Sequence, residues 1–241
     1  MDRRPRAGPT VLLPAAAARV SDVVAAIPGG RWDAPSPCSR WTVRDVLNHL
    51  TSEHLWAPHL LRGESLQDVG DRYDGDVLGA DPPAAWTAAI ASSLLAWADA
   101  DLELPGEAAS GDNGDQRGRN TSDDAHNDAR NGAGNGAGIG SDAEAFVGSA
   151  AEAEVHTSMG RIPVREYAHQ MLVDLTVHGW DLATGAGLPY EPHPGAVREC
   201  LAYEQARVGT SGVAGLFRPA LPTSSPDPFD RLLALLGRRP A

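Results

Sequence analysis

Apolar residues recur at helical spacing through most of the chain, and the interruptions between them mark the elements. Residues 10–27 predict a first amphipathic helix, stopped by the Pro and Gly of IPGG. A second begins near Trp41 in SRWTVRDVLNHLTSEHLWA, with Thr42 as its N-cap, Asp45 three residues on, and Pro58 disturbing its end. A Gly- and Asp-rich connection leads to a third, DPPAAWTAAIASSLLAWADADL, capped by Asp81 with prolines in its first turn. AEVHTSMGRIPV reads as extended, and PVREYAHQMLVDLTVHGWDLATG as a fourth helix closing at Gly185. HPGAVRECLAYEQARVG gives a fifth, and DPFDRLLALLGRRP a short C-terminal one. Four long helices joined by loops predict a mainly all-α fold, an antiparallel four-helix bundle. Residues 1–189 are expected to form that bundle, and 190–241 a short helical C-terminal extension.

One stretch breaks the pattern. From Pro105 to about Ala150 the chain is Gly, Asn, Asp and Ser with hardly an aliphatic residue. Such a composition buries too little apolar surface to offset its ordering entropy, so residues 105–150 are expected to be a disordered loop inserted in the bundle, with His126 a solvated histidine.

Charge follows the same division. The 241-residue chain carries a net −12 and no lysine, and ten of its acids, against three arginines, fall between Glu107 and Glu154. This balance argues against nucleic acid or an anionic membrane as a partner, since both require a basic face. The basic N-terminus lacks a convincing cleavage site, and no apolar run approaches the roughly 20 residues of a membrane span. Two distant cysteines, Cys38 and Cys200, are too few for a disulfide framework. A cytoplasmic protein with structural thiols is the expectation.

The chemistry concentrates in LVDLTVHGWDLA, residues 172–183. On a helix, Val164, Ala168, Met171, Leu175 and Leu182 form one stripe, and His178 lies within about 60° of its centre. Asp174, one turn earlier, is on the edge of that face, and a carboxylate and an imidazole at i and i+4 converge as a helix does to grip a divalent ion. Asp181 lies nearly beneath Asp174. The same spacing also describes a core histidine paired with an acid, and periodicity alone does not separate the two. His169 falls on the opposite, surface side. In the second helix Val43, Val46, Leu47, Leu50 and His54 define the apolar stripe, so the helical wheel nominates His54 over His49 for the interior. The tryptophans Trp41, Trp56, Trp86, Trp97 and Trp180 are expected to be core packing before pocket lining.

Taken together, CSRWTVRDVLNHL, LVDLTVHGWDLA and FDRLLALLGRRP resemble the actinobacterial metal-binding branch of the DinB-like superfamily, which includes mycothiol-dependent maleylpyruvate isomerase. The resemblance implies a four-helix bundle holding a divalent metal, zinc or nickel, with one His from the second helix and two residues one turn apart on the late helix. Carried over, the metal ligands are His49, Asp174 and His178, which displaces the wheel's preference for His54. Asp174 departs from the Glu or His of relatives. Two His and one carboxylate leave coordination positions open, a catalytic pattern. The resemblance further implies mycothiol as cosubstrate, a small-molecule thiol and an electrophile as partners, and a thiol-dependent transferase or isomerase activity. A homodimer is a further expectation. A metal-binding stress-response module and a metal-assisted hydrolase are the alternatives. The isomerase also uses a basic residue from a separate C-terminal domain, which residues 190–241 do not obviously supply despite Arg218, Arg231, Arg238 and Arg239.

Overall fold

The computed structural model describes residues 8–103, 153–158, 160–207 and 218–240. All of these belong to one unit of the chain; the acidic insertion expected at 105–150, with His126, lies outside the described residues. In chain order the elements are α1 (Pro9–Ala26), a 3-10 turn (Gly29–Arg31), α2 (Val43–Leu61), α3 (Leu66–Val69), α4 (Pro82–Glu103), β1 (Glu154–Thr157), β2 (Gly160–Pro163), α5 (Val164–Ala186), α6 (Pro194–Arg207) and α7 (Pro228–Leu235).

The all-α expectation holds. Helix α1 packs on α5 and α4, and α2 packs on α4 and α5, so the four long helices close a ring of contacts around one core. Leu13, Val20, Leu47, Leu50, Trp86, Met171, Leu172, Leu175 and Leu182 are buried at its centre, each contributing about 1.5–3 kcal/mol by leaving water. Helix α1 has 18 residues and a mean hydropathy of 1.2, long and apolar enough by those measures to cross a membrane. In the bundle its apolar face, including Leu13, Ala17, Val20 and Val24, is buried. The segment read as extended is an antiparallel hairpin in which Val155 pairs with Ile162.

Local signals set the helix ends that position the site. The Thr42 hydroxyl accepts from the Asp45 N–H while the Asp45 carboxylate accepts from the Thr42 N–H at 2.8 Å, a capping box that starts α2 in register. Contrary to expectation, α2 runs through Pro58 to Leu61. Ser65 and Asp68 form a second capping box on α3, a short helix inside what reads as an irregular connection. Helix α5 also continues past Gly185 to Ala186 and is closed by Gly187, whose φ of 74° is the left-handed conformation glycine adopts without strain. Gly185 serves a different purpose: a Cβ there would lie 2.7 Å from Val43 Cγ2, so its absence lets the end of α5 approach the start of α2. The Arg31 side chain donates to the carbonyls of Gly185 at 2.8 Å and Ala186 at 3.2 Å, capping α5 from the turn after α1.

The C-terminal residues do not hang free of this frame. Helix α6 packs on α5 and α1, and α7 packs on α6, with Leu232, Leu233 and Leu236 buried.

Candidate metal centre

Helices α2 and α5 lie side by side, and their contact brings His49, Asp174 and His178 together. His49 Nε2 is 3.5 Å from Asp174 Oδ2, and His178 Nε2 is 3.8 Å from Asp174 Oδ1. The two imidazole rings meet edge to face with centroids 5.2 Å apart. Two donors bound about 2.1 Å from one tetrahedral ion lie about 3.4 Å apart, so these separations match ligands of a single ion better than they match hydrogen bonds. His49 is raised above its ordinary pKa: burial pulls it down, but the Asp174 carboxylate and the Glu53 charge outweigh that. Asp174 is lowered: burial opposes its ionisation, and the His49 imidazole beside it, with the charge of His178, overcomes that.

His54, the residue the helical wheel favours, sits elsewhere. It is buried among core side chains with Nδ1 2.8 Å from Ser93 Oγ on α4. Burial pushes its pKa down to about 3, so it remains neutral. His54 points to the bundle axis, and His49, on the flank, points to α5.

Asp181 is fully buried and orients the site from behind. Its Oδ2 is 2.9 Å from His178 Nδ1 and 3.0 Å from Arg238 Nη2. Burial opposes the ionisation of Asp181, but His178 and Arg238 hold its pKa below the ordinary value. A carboxylate only accepts, so His178 carries its proton on Nδ1 and presents the Nε2 lone pair towards Asp174 and His49. This carboxylate–histidine arrangement is the kind that fixes a ligating imidazole.

Cys38, in the loop before α2, approaches the same group: Sγ lies 3.2 Å from Asp181 Oδ2 and 3.7 Å from His178 Nδ1. Cys38, His178 and Asp181 thus make a second cluster of metal-ligand types, with donor atoms within 4.8 Å of one another. Two observations argue against it as a cation site. The Arg238 guanidinium is 3.4 Å from the sulfur and 3.0 Å from the carboxylate, placing a positive charge at its face. Burial and the Asp181 charge push the thiol up to about 12 despite Arg238. The set His49, Asp174 and His178 has no such cation against it among the described contacts.

The three residues line an open cleft of about 1140 Å³. Trp41 covers them, its ring centroid 5.2 Å from His49 and 6.1 Å from His178. Trp56 also lines the cleft, whereas Trp86 and Trp97 are core residues, so the tryptophans divide between the two roles. Arg40, Arg218 and Arg238 line it too. Arg238, which the sequence offers among four C-terminal arginines without assigning it a role, is brought by the folded C-terminus 57 residues back to Asp181. His169 is not the surface residue expected: it pairs with Glu199 at 3.0 Å and stacks on Tyr203, both from α6.

The helical architecture is consistent with the bundle that the DinB-like resemblance implies. Residues 13–116 match the model of the mycothiol maleylpyruvate isomerase N-terminal domain, so over that span the chain is similar to this family. The matched span contains His49 and ends before α5. No curated protein and no solved structure matches the chain.

Proposed function

We propose that this protein holds one divalent ion through His49, Asp174 and His178 and acts as a thiol-dependent transferase on an anionic electrophile. The observation that carries the reading is the pair of Nε2–carboxylate separations, 3.5 and 3.8 Å, at an open cleft. A closed apolar interior would have favoured a binding module; this cleft is open and partly polar.

Three protein ligands leave room for an exogenous one. An ion held there would supply the positive charge that keeps a low-molecular-weight thiol, mycothiol by the resemblance over residues 13–116, as thiolate near neutral pH. The remaining tasks fall to the protein. Asp181 holds the proton at His178 Nδ1. Arg238 balances the Asp181 charge. Arg40 and Arg218, on the same cleft, attract an anionic substrate that the chain's net −12 would otherwise repel.

Cobalt(II)-substituted protein tests this. Addition of millimolar mycothiol is expected to produce a near-ultraviolet sulfur-to-cobalt band that persists in Cys38→Ser and vanishes in His49→Ala. A spectrum that no thiol changes rejects the transferase reading.

A further inference from the structure

Helices α2 and α5 face each other with matching polar turns. Val43, at the start of α2, lies against Gly185, near the end of α5, so the two run antiparallel. On α5 a carboxylate precedes an imidazole by one turn, Asp174 then His178; on α2 the order is reversed, His49 then Glu53. Imidazole therefore meets imidazole, with ring centroids 5.2 Å apart. One turn further along α2, Glu53 comes level with Asp174 and lines the same cleft.

The two ring nitrogens of His49 have different surroundings. Nε2 is 3.5 Å from Asp174 Oδ2. Nδ1 is on the other edge of the ring, and its one polar neighbour among the described contacts is Glu53 Oε1, at 3.9 Å. A neutral imidazole that ligates through one nitrogen carries its proton on the other. As a rule that N–H is given to a carboxylate, a carbonyl or a water, which fixes the ring. For His178 the acceptor is Asp181, at 2.9 Å. For His49 the corresponding place is taken by Glu53, about 1 Å beyond hydrogen-bonding distance. Among the described residues this carboxylate has no other hydrogen bond or ion pair to hold it, so a change of rotamer in a flexible side chain closes the gap. Charge supports the pairing. Asp181 is already balanced by Arg238 at 3.0 Å. Asp174 and Glu53 are left, two negative charges for the two positive charges of a divalent ion.

We propose that Glu53 is the positioning residue of His49: it accepts the Nδ1 proton and keeps Nε2 turned to the ion, as Asp181 does for His178. The inference rests on the reading of His49 as a ligand and adds the residue that holds it in that role. The two supports differ in one respect. Asp181 is fully buried, whereas the Glu53 side chain is 39 % exposed, so the arm from α2 is the looser of the two. Zinc-loaded full-length protein with isotope-labelled histidine tests this by nuclear magnetic resonance and chelator competition. Wild type is expected to show both imidazoles as Nδ1–H tautomers, with the His178 proton the slower to exchange. Glu53→Ala is expected to speed exchange of the His49 proton, leave that of His178 unchanged and weaken zinc about tenfold, the low end of the range for such carboxylates. Glu53→Gln, which keeps an acceptor without the charge, should lie between wild type and Glu53→Ala. The urea midpoint of the metal-free protein should stay the same, since the side chain is on the cleft and not in the core. Unchanged exchange of the His49 proton in both variants, with or without a loss of zinc, or a His49 bound through Nδ1, overturns the role of Glu53 and leaves the three-ligand site standing. A wild type that binds no zinc rejects both.

Discussion

His178 Nδ1 donates to the buried Asp181 carboxylate across 2.9 Å, which turns the other ring nitrogen towards Asp174 and His49. Orienting carboxylates of this kind are worth about ten- to a hundredfold in metal affinity. Asp181→Asn should therefore weaken zinc by that factor in a chelator-competition titration. The variant leaves all three proposed ligands in place, so unchanged affinity would remove Asp181 from the site's support.

His49 and His54 lie on one helix and should respond in opposite ways. His49→Ala is expected to lose stoichiometric metal with little change in the melting temperature of the metal-free protein. His54→Ala truncates a buried core side chain and should cost about 2–4 kcal/mol of stability, by analogy with large-to-small core substitutions, while a folded sample keeps its metal. Metal content and denaturant unfolding of both variants check the pair. The reverse pattern would restore the helical-wheel assignment.

Acid should expose the buried neutral His54. Its pKa is about 3 when folded and about 6.5 when unfolded. Between those values the unfolded state binds the extra proton, so the contribution is full above about pH 6.5 and declines as pH falls towards 3, at up to about 1.4 kcal/mol per unit. His49 is shifted upwards and acts in the opposite sense: its contribution is full below about pH 6.5 and is lost as pH rises through the folded value. Comparing metal-free wild type with His54→Gln by urea unfolding from pH 4 to 7 isolates the His54 part. The variant should show the shallower slope; parallel curves would contradict a neutral buried imidazole.

Neither cysteine should behave as a nucleophile in the native protein. Burial is the main reason that both Cys38 and Cys200 are pushed up to about 12, so thiolate is scarce near neutrality. Iodoacetamide at pH 8 is expected to label both rapidly in denaturant and neither rapidly when folded. Fast native labelling of Cys38 would make it a rival source of sulfur.

What could be read from the sequence was mostly local. Thr42 with Asp45 and the i, i+4 pair Asp174 and His178 are spacings along one helix, and α2 and α5 keep them. What could not be read depends on a neighbouring element. A helical wheel measures direction from the centre of one apolar stripe, so it found His54, which faces Ser93, and passed over His49, which faces a second helix from the flank. His169 is covered because α6 stacks Tyr203 on it. Arg238 reaches Asp181 only because α7 folds back, and nothing local to its own segment announces that. Asp181 was visible at i+3 from His178, but its task, holding the imidazole from behind, needed the burial and distances of the folded chain.

The claim on which the rest depends is that His49, Asp174 and His178 hold the ion, and metal content per chain tests it most directly. Protein purified without an affinity tag is expected to carry about one zinc or nickel per chain, Asp174→Ala and His49→Ala almost none, and Cys38→Ser the full amount. Metal retained in Asp174→Ala but lost in Cys38→Ser would move the site to the Cys38, His178 and Asp181 cluster, and a wild type that binds no divalent ion would contradict the account altogether.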